Sequence, residues 1–524
     1  MKKFSILFFI GLITVGTSCK KYLDINTNPN AATSATSESL LPQALTGTAN
    51  NVNGYNSYGS QLAGYMANAG GFGGFGTSIT YSFSSNDFSG RWSTTYDNLE
   101  DYQAIIDQTD GQLPQYSYFN AAARIMKAYN FQLLVDAYND VPYSQALKGQ
   151  AYLTAKYDNA ADIYDSLATE LDKAIATINN ADTITGVNVI DLSSSDVLFG
   201  SDMTLWKQFA NTIKLRLIVR GNGKVNFQNT SFDEAGFLET EALVNPGFRL
   251  DVGRQNPQWE SWAFTSTGGA GNKAWMPNVY VFGFYDGTKL TDPARGSAMY
   301  YKYPSTGTNR LGIESNNLQS SPTGSFWYPG TDRNPSTAGD DNTGVLKGPD
   351  AGYPLFTASE SYFLQSEAVV RGLLATGDAK ALFDDGINAS FNYLYQNASG
   401  ELVKDPTDDE ATYRANNKGS YLVNYDLATS TDQKIEAIIT QKYIALNFIA
   451  GHEAWNEYRR THYPRVISSD ASGYFTFAST VSESTQPDKL PTRILYPTTE
   501  GSYNSANVPR NISPFSSFIF WAIQ

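Results

Sequence analysis

Cysteine and histidine are nearly absent from this 524-residue chain, which holds one cysteine and two histidines. A single cysteine excludes a disulfide within the chain. His452 and His462 alone leave little for a histidine-rich metal site or for catalysis through a histidine relay. Basic residues are also scarce, with 37 Lys and Arg against 51 Asp and Glu and a formal net charge of −14. This balance argues against a nucleic-acid partner, because binding phosphates requires clustered Lys and Arg.

The one cysteine, Cys19, stands at the end of a segment with the layout of a bacterial secretory signal. Two lysines precede an apolar run at residues 4–15, and three small residues follow it. The run is shorter than the roughly 20 residues of a membrane-spanning helix. A lone thiol after the cleavage point predicts a lipid anchor, although Gly16 stands where the lipobox usually has leucine. We expect a signal peptide at 1–18 and an acylated Cys19 that holds the chain on a membrane.

Apolar residues recur at three- and four-residue spacing in six segments, which predicts helices there. These segments are residues 118–138, 157–178, 202–217, 358–374, 379–394 and 432–449. Between about residues 221 and 356 the helical periodicity fades, and Gly, Pro, Asn and aromatic residues dominate. We therefore predict a mainly α fold.

The chain after the signal is long enough for several domains or for one large one, and the same pattern divides it into two kinds of structure. A helical scaffold is expected at about 95–220 and 356–460. A large, irregular and partly stranded insertion at about 221–356 is expected to be rich in loops and to bind a ligand, because loops of this length usually carry function.

Aromatic residues are abundant, at 14% of the chain with 34 Tyr and 8 Trp. Trp206 and Trp455 lie within helical stripes and are expected in the core. Other tryptophans stand in polar, glycine-rich surroundings, where a ring can either pack locally or stack on a sugar. The predicted ligand contacts are Trp92, Trp262, Trp275 and Trp327, with Tyr81, Arg91 and Tyr328 as weaker candidates.

Patterns that would indicate other chemistry are incomplete. Residues 71–76 match G-x-G-x-x-G, but residues 79–83 alternate like a strand where a dinucleotide site needs a helix. We interpret 71–76 as a flexible glycine-aromatic loop, either a turn or a hinge that contacts ligand. The adjacent acids at 340–341 and 408–410 do not form the separated pair that glycoside hydrolysis needs. A D-x-N-x-N stretch at 24–28 lacks the Gly and Glu of a calcium loop. We expect no catalytic residue, metal site or cofactor.

Several stretches of the chain resemble signatures of the SusD/RagB-like family, particularly its SusD-like branch. Residues 136–146 are similar to D-x-Y-G-D-V-P-Y-x-E-A, and residues 206–217 to W-x-x-F-A-N-S-L-K-L-R-L. Residues 438–443 and 453–461 resemble a late family signature, and residues 490–497 resemble the ending P-x-R-x-x-Y-P.

The resemblance implies a single domain over residues 19–524, built as a superhelix of tetratricopeptide-like helix pairs that supports irregular ligand-binding loops. It also implies an outward-facing outer-membrane lipoprotein that captures nutrient and closes as a lid over a SusC-type TonB-dependent β-barrel transporter. The family's ligands are usually oligosaccharides, and some members handle peptides. Family binding residues lie in variable loops and are not transferred by these signatures. We predict a non-catalytic glycan-binding importer subunit; a peptide-binding subunit, a surface hydrolase and an adhesion protein are the alternatives.

Charged residues also occur on or beside the apolar helices. We expect these side chains to pair within the protein rather than to act on a ligand, because buried charges need partners. The residues concerned are Lys214, Arg216, Glu367, Arg459 and Arg460.

Overall fold

Helices form most of the regular structure in the computed structural model, which describes residues 35–322, 324–328 and 343–524. The predicted signal peptide, Cys19, residues 24–28 and residues 340–341 lie outside these ranges. The described helices are α1 (Ser37–Leu62), α2 (Thr77–Thr80), α3 (Gly90–Thr109), α4 (Ser117–Tyr138), α5 (Ala160–Thr183), α6 (Met203–Arg220), α7 (Pro257–Trp262), α8 (Val279–Phe282), α9 (Pro293–Met299), α10 (Ala358–Val370), α11 (Ala379–Tyr395), α12 (Thr407–Asn416), α13 (Thr431–Ala445), α14 (Gly451–Thr461) and α15 (Thr498–Tyr503).

Strands are few and short in the described part of the chain. They are β1 (Met66–Asn68), β2 (Ala242–Val244), β3 (Trp275–Pro277) and β4 (Tyr353–Phe356). β1 pairs antiparallel with β3, which sets Asn68 opposite Trp275. β2 pairs antiparallel with β4. The two pairs are separate two-stranded sheets, so the fold is mainly α, as the periodicity predicted.

Local sequence determines where several scaffold helices begin. The Asn159 side chain caps α5, and the Asp202 side chain caps α6 by accepting hydrogen bonds from Thr204 and Leu205. At α13, Ser430 and Gln433 form a reciprocal capping box. These caps satisfy backbone donors that the first turn leaves without partners.

Neighbouring helices in the sequence pack on one another and build the scaffold. α1 packs on α3, α3 on α4, α4 on α5 and α5 on α6. In the second half α10 packs on α11 and α13, while α14 returns to pack on α1. Their facing apolar side chains belong to one continuous core, which also takes in rings from the irregular region.

All six predicted helices are present, with ends shifted by a few residues. The periodicity analysis missed α1 and most of α3. α1 carries Asn, Ser and Gly on its buried face, so an apolar stripe is weak there. The strand expected at 79–83 is wrong, because Thr77–Thr80 forms one helical turn and Tyr81 follows it in the left-handed region with φ of 63°.

Residues 221–356 contain only short elements where the structure describes them; the longest, α9, has seven residues. The domain limits given above stay a prediction. No helix in the described residues is long and apolar enough to cross a bilayer.

A network of ion pairs lies inside the helical scaffold. Arg216 pairs with Glu360 and Glu453 at 3.4 Å, and all three side chains are at most 2% exposed. Arg220 contacts Asp136, Glu453 and Glu457. These carboxylates supply the partners that buried guanidinium groups require.

The expected internal pairing holds for four of the five charged residues. Lys214 pairs with Asp172 at 2.6 Å, and Arg460 pairs with Glu367 at 2.6 Å. Arg459 differs, because its recorded acceptors are all neutral oxygens. Arg459 is thus bound within the protein by hydrogen bonds, without a carboxylate contact among the described residues.

Candidate functional site

A glycine-rich loop at residues 70–76 follows β1, and most of its residues from 71 onward are exposed. Three chain segments meet there, and we call them the loop cluster: residues 70–76, 265–274 and 312–320. The backbone N–H of Ala69 donates to the Ala274 carbonyl at 2.8 Å, and that of Gly70 donates to the Gln319 carbonyl at 3.1 Å. Gly70 has to be glycine, because an added Cβ would lie 2.1 Å from the Leu318 carbonyl oxygen.

The Asn68 side chain fastens the third segment to β1. Its Nδ2 donates to the Ile313 carbonyl at 2.7 Å, and its Oδ1 accepts from the Gly312 N–H at 2.9 Å. Asn309 adds a hydrogen bond to the Asn68 carbonyl at 2.9 Å. Asn68 is 1% exposed, so these bonds are shielded from water and hold the loop cluster on a fixed base.

Two phenylalanines make the face of the loop cluster. Phe72 is 46% exposed, and Phe75 is half-buried against Trp275 with ring centroids 5.3 Å apart in an edge-to-face arrangement. Trp275 itself is 7% exposed. Gly74 has φ of 78°, and no atom of the described residues lies within 4 Å of an added Cβ, so the tip projects away from them. The loop therefore offers an apolar ring above a packed tryptophan.

The loop cluster is almost without charge. Its three segments contain only one basic and one acidic residue, Lys273 and Glu314. The exposed polar side chains are amides and hydroxyls, from Thr267, Asn272, Ser315, Asn316, Asn317, Gln319 and Ser320. Such groups both donate and accept hydrogen bonds, which suits a neutral ligand rich in hydroxyl or amide groups.

Three of the predicted ligand contacts pack together beneath the surface. Trp327 is fully buried and stacks on Phe448 with centroids 4.3 Å apart. Trp262 meets both rings edge to face, and Tyr328 packs edge to face on Trp259. A ligand would have to displace these neighbours to reach the three rings, so their contact with ligand stays a prediction.

The other predicted contacts are also enclosed. Trp92 is 6% exposed among four tyrosine rings, including Tyr138 at 5.1 Å and Tyr496 at 5.9 Å. Tyr81 is fully buried, and burial raises the pKa of its hydroxyl. The half-buried Arg91 lies across Gly54 and donates to the Asn51 carbonyl at 3.4 Å. Trp275 is thus the predicted contact that lies nearest an open aromatic surface, through Phe75.

The structure gives no support to cofactor chemistry in the G-x-G-x-x-G stretch. β1 precedes it, but the helix that follows, Thr77–Thr80, is one turn long and belongs to no βαβ unit. No group of His, Cys, Asp and Glu with the arrangement of a metal site occurs in the described ranges. Residues 71–76 form a loop, as expected, and its flexibility and its contact with a ligand stay predictions.

Two family models match the chain over most of its length. One, described as "Starch-binding associating with outer membrane", matches residues 29–235. The other, "Susd and RagB outer membrane lipoprotein", matches residues 345–516. The chain belongs to the SusD/RagB-like family. This family of outer-membrane nutrient-binding proteins is the one indicated by the signature residues. No curated protein matches the chain.

Solved structures of SusD-like proteins share the fold. A SusD homologue from Bacteroides fragilis has 19% identity and a TM-score of 0.64, covering 94% of this chain and all of its own. A SusD/RagB family protein from Bacteroides thetaiotaomicron has 20% identity and a TM-score of 0.64, with 93% and 99% covered. A chitin-binding protein has 21% identity and a TM-score of 0.62, with 93% and 99% covered. These matches confirm the tetratricopeptide-like helical fold.

Sequence reasoning identified the loop but did not select its phenylalanines. It ranked aromatic residues by type, and tryptophan came first. The sequence signal that could have identified Phe72 and Phe75 is the glycine on each side of them, in G-F-G-G-F-G. Glycine neighbours offer no side chain to cover a ring, so such a ring tends to stay exposed.

Proposed function

We propose that this SusD/RagB-like chain is a non-catalytic, cell-surface glycan-binding lipoprotein that serves as the lid of a SusC-type TonB-dependent importer. Membership of an outer-membrane nutrient-binding family supports the general role. The observation that supports a glycan in particular is the loop cluster, which combines an exposed ring with neutral amide and hydroxyl groups.

The chemistry of sugars fits this surface. The C–H face of a pyranose ring is apolar and packs on an aromatic ring, while its hydroxyls need neutral donors and acceptors. Phe72 provides the ring at the loop tip, and Phe75 lies behind it on Trp275. Asn272 and Gln319 stand on the two flanking segments and are exposed. We propose Phe72 and Phe75 as ligand contacts, with Trp275 as their support.

The proposed anchor is Cys19, acylated after removal of residues 1–18. A lipid-anchored chain stays at the outer membrane, where a β-barrel partner resides. Radiolabelled palmitate should be incorporated by the full-length chain and not by the Cys19→Ala variant. Co-purification of a large β-barrel with the acylated chain would support the importer role, and repeated isolation without it would count against that role.

A calorimetric screen tests the ligand. The chain starting at Lys20 is titrated with neutral oligosaccharides and, in parallel, with oligopeptides. Saturable heat with one sugar class supports the proposal. Binding of peptides alone would replace it with the peptide-import alternative, and release of shortened products would indicate a hydrolase.

Replacing Phe72 by Ala locates the site. Loss of one ring contact should weaken glycan binding by about 1–2 kcal/mol, which is roughly 5- to 30-fold. Tyr503 is the matched control, because it is 79% exposed and lies outside the loop cluster. Tyr503→Ala should leave the affinity unchanged. Equal affinity of the wild type and a Phe72→Ala/Phe75→Ala double variant would refute this site.

A further inference from the structure

A second concave site lies at the end of α14 and shares no residue with the loop cluster. Three segments line it: the end of α14 with the turn after it, residues 486–492, and the stretch around Phe518 and Ile523. Its volume is about 540 Å³. Pockets for small molecules typically measure about 300–1,000 Å³ and are mostly apolar.

Apolar side chains form much of this cavity's wall. Val466, Leu490 and Phe518 line it, together with two isoleucines that remain open to solvent. Ile467 is 53% exposed and Ile523 is 45% exposed. Large apolar side chains gathered at the mouth of a cavity indicate a surface that a ligand or partner covers.

Arg459 gives the cavity a buried positive charge. This residue lines the cavity and is only 4% exposed. Its Nη2 donates to the Asp136 carbonyl at 2.8 Å and to Asn456 Oδ1, and its Nη1 donates to the Thr492 carbonyl at 3.3 Å. Its Nε has no acceptor among the described residues.

The adjacent Arg460 has the carboxylate partners that Arg459 lacks among the described residues. Arg460 binds both carboxylate oxygens of Glu367, at 2.6 and 2.7 Å, and contacts Glu457 as well. Arg459 has no such partner among the described residues. Asp136 acts on Arg459 electrostatically, but no carboxylate contacts its guanidinium among the described residues. A buried guanidinium without such a contact favours an anion beside it, since Arg groups bind carboxylates and related anions in a planar fork.

The surroundings of Arg459 keep it cationic. The guanidinium lies 3.7 Å from the Trp455 ring centroid and 4.9 Å from that of Trp521. Burial lowers the pKa of Arg459 to about 10; Tyr58 and Asp136 pull it upward, and the charges of Arg220 and Arg493 pull it downward. The group still carries its proton at neutral pH.

One carboxylate also lines the cavity, but its oxygens are already engaged. Asp488 Oδ2 accepts from the Tyr458 hydroxyl at 2.9 Å, and Oδ1 accepts from the Leu490 N–H at 3.0 Å. At the mouth, Arg465 adds a cation whose side chain is 60% exposed and is held by Glu436 at 2.7 Å. The cations of the wall thus outnumber Asp488.

We propose that this cavity binds a small amphipathic anion. Its apolar body, such as an aromatic ring, lies against Ile467, Phe518 and Ile523, and its acidic group is directed toward Arg459. This site is separate from glycan binding at the loop cluster and does not depend on it.

Two fluorescent probes of similar shape test the proposal with the chain starting at Lys20. 1-Anilinonaphthalene-8-sulfonate is an aromatic anion, and N-phenyl-1-naphthylamine is its neutral counterpart. The anion should bind at one saturable site. The Ile467→Ser/Ile523→Ser double variant should weaken both probes about tenfold by removing apolar contact area. Leu153→Ser is the control, because Leu153 is 81% exposed outside the cavity and its replacement should change neither probe.

Arg459→Gln tests the charge. A lost charge-assisted contact should weaken binding of the anion about tenfold or more and change binding of the neutral probe less than twofold. Circular dichroism establishes that the variant is folded; if it is not, the isoleucine double variant decides. Unchanged anion binding in the double variant would overturn the site. Equal losses of both probes in folded Arg459→Gln would overturn the preference for an anion.

Discussion

The scaffold and the loop cluster distribute charge and aromatic surface in opposite ways. Inside the scaffold, Arg216, Arg220, Glu360 and Glu453 are at most 2% exposed and pair with one another. At the solvent-facing loop cluster, neutral side chains dominate and Phe72 is 46% exposed. The usual arrangement places charge outside and rings inside.

This difference separates residues that hold the fold from residues that meet a ligand. The signature stretches at 206–217 and 453–461 supply much of the buried ion-pair network, so they act as structure. The loop cluster is held at its base by backbone hydrogen bonds, Asn68 and the Phe75–Trp275 contact, while Phe72 stays 46% exposed and can make new contacts. Three experiments can break or sharpen this comparison.

The largest loss of folding stability is expected from Arg220→Ala. This change leaves Asp136, Glu453 and Glu457 without their shared cation, and breaking a buried pair costs about 3–5 kcal/mol. Urea unfolding followed by circular dichroism measures the loss. Arg249→Ala removes an exposed pair with Asp251 and should leave the midpoint unchanged. Equal midpoints for wild type and Arg220→Ala would show that the network is not structural.

Lowering the pH should destabilise the protein through the buried His452, by less than Arg220→Ala does. Burial lowers the pKa of His452 to about 4, against a pull from Glu453 in the other direction. The unfolded chain therefore binds this proton more readily, so stability present above about pH 6.5 is lost as the pH falls toward 4. The full shift corresponds to at most about 3 kcal/mol.

Comparison with His452→Gln isolates this contribution. Burial raises the pKa of Asp136 and Glu360, and these groups change stability with the opposite sign over acidic pH. The difference in stability between wild type and His452→Gln should shrink between pH 6.5 and 4. A constant difference across this range would contradict the assignment.

The smallest effect is expected for salt on ligand binding. Lys273 and Glu314 are the only charged side chains of the loop cluster, so screening has little to act on. Raising NaCl from 0.05 to 0.5 M should change the affinity for a neutral oligosaccharide less than about twofold. The anionic probe at the α14 cavity should weaken more over the same range, which makes it the internal comparison. A strong salt effect on the sugar would mean that charged residues outside the loop cluster bind it.

Sequence patterns predicted much of the scaffold because its helices carry apolar stripes and side-chain caps. They failed for α1, whose buried face includes Thr48, Asn51 and Asn56. These polar side chains find partners on distant segments: Asn51 donates to the Thr94 carbonyl, and Asn56 to the Phe448 carbonyl. Such hydrogen bonds allow a polar side chain to be buried in the core. The neighbouring sequence does not indicate which polar side chains will form them.

The aromatic residues show the same limit at the site. Trp92, Trp262 and Trp327 stand in polar stretches of sequence, yet rings from other parts of the chain enclose them. The polarity of the neighbouring residues in the sequence therefore did not predict that these rings are buried. Phe72 is the converse case, an apolar residue that stays 46% exposed among the described residues.

By itself, the sequence determined the family, the mainly helical fold and the expectation of a lipid anchor, because these depend on signatures, periodicity and one cysteine in a local setting. Only the tertiary structure decided which rings face solvent, which charges pair and where cavities form. Burial and ion pairing depend on segments hundreds of residues apart, such as Arg220 with Glu453. Their meeting is a property of the packed chain.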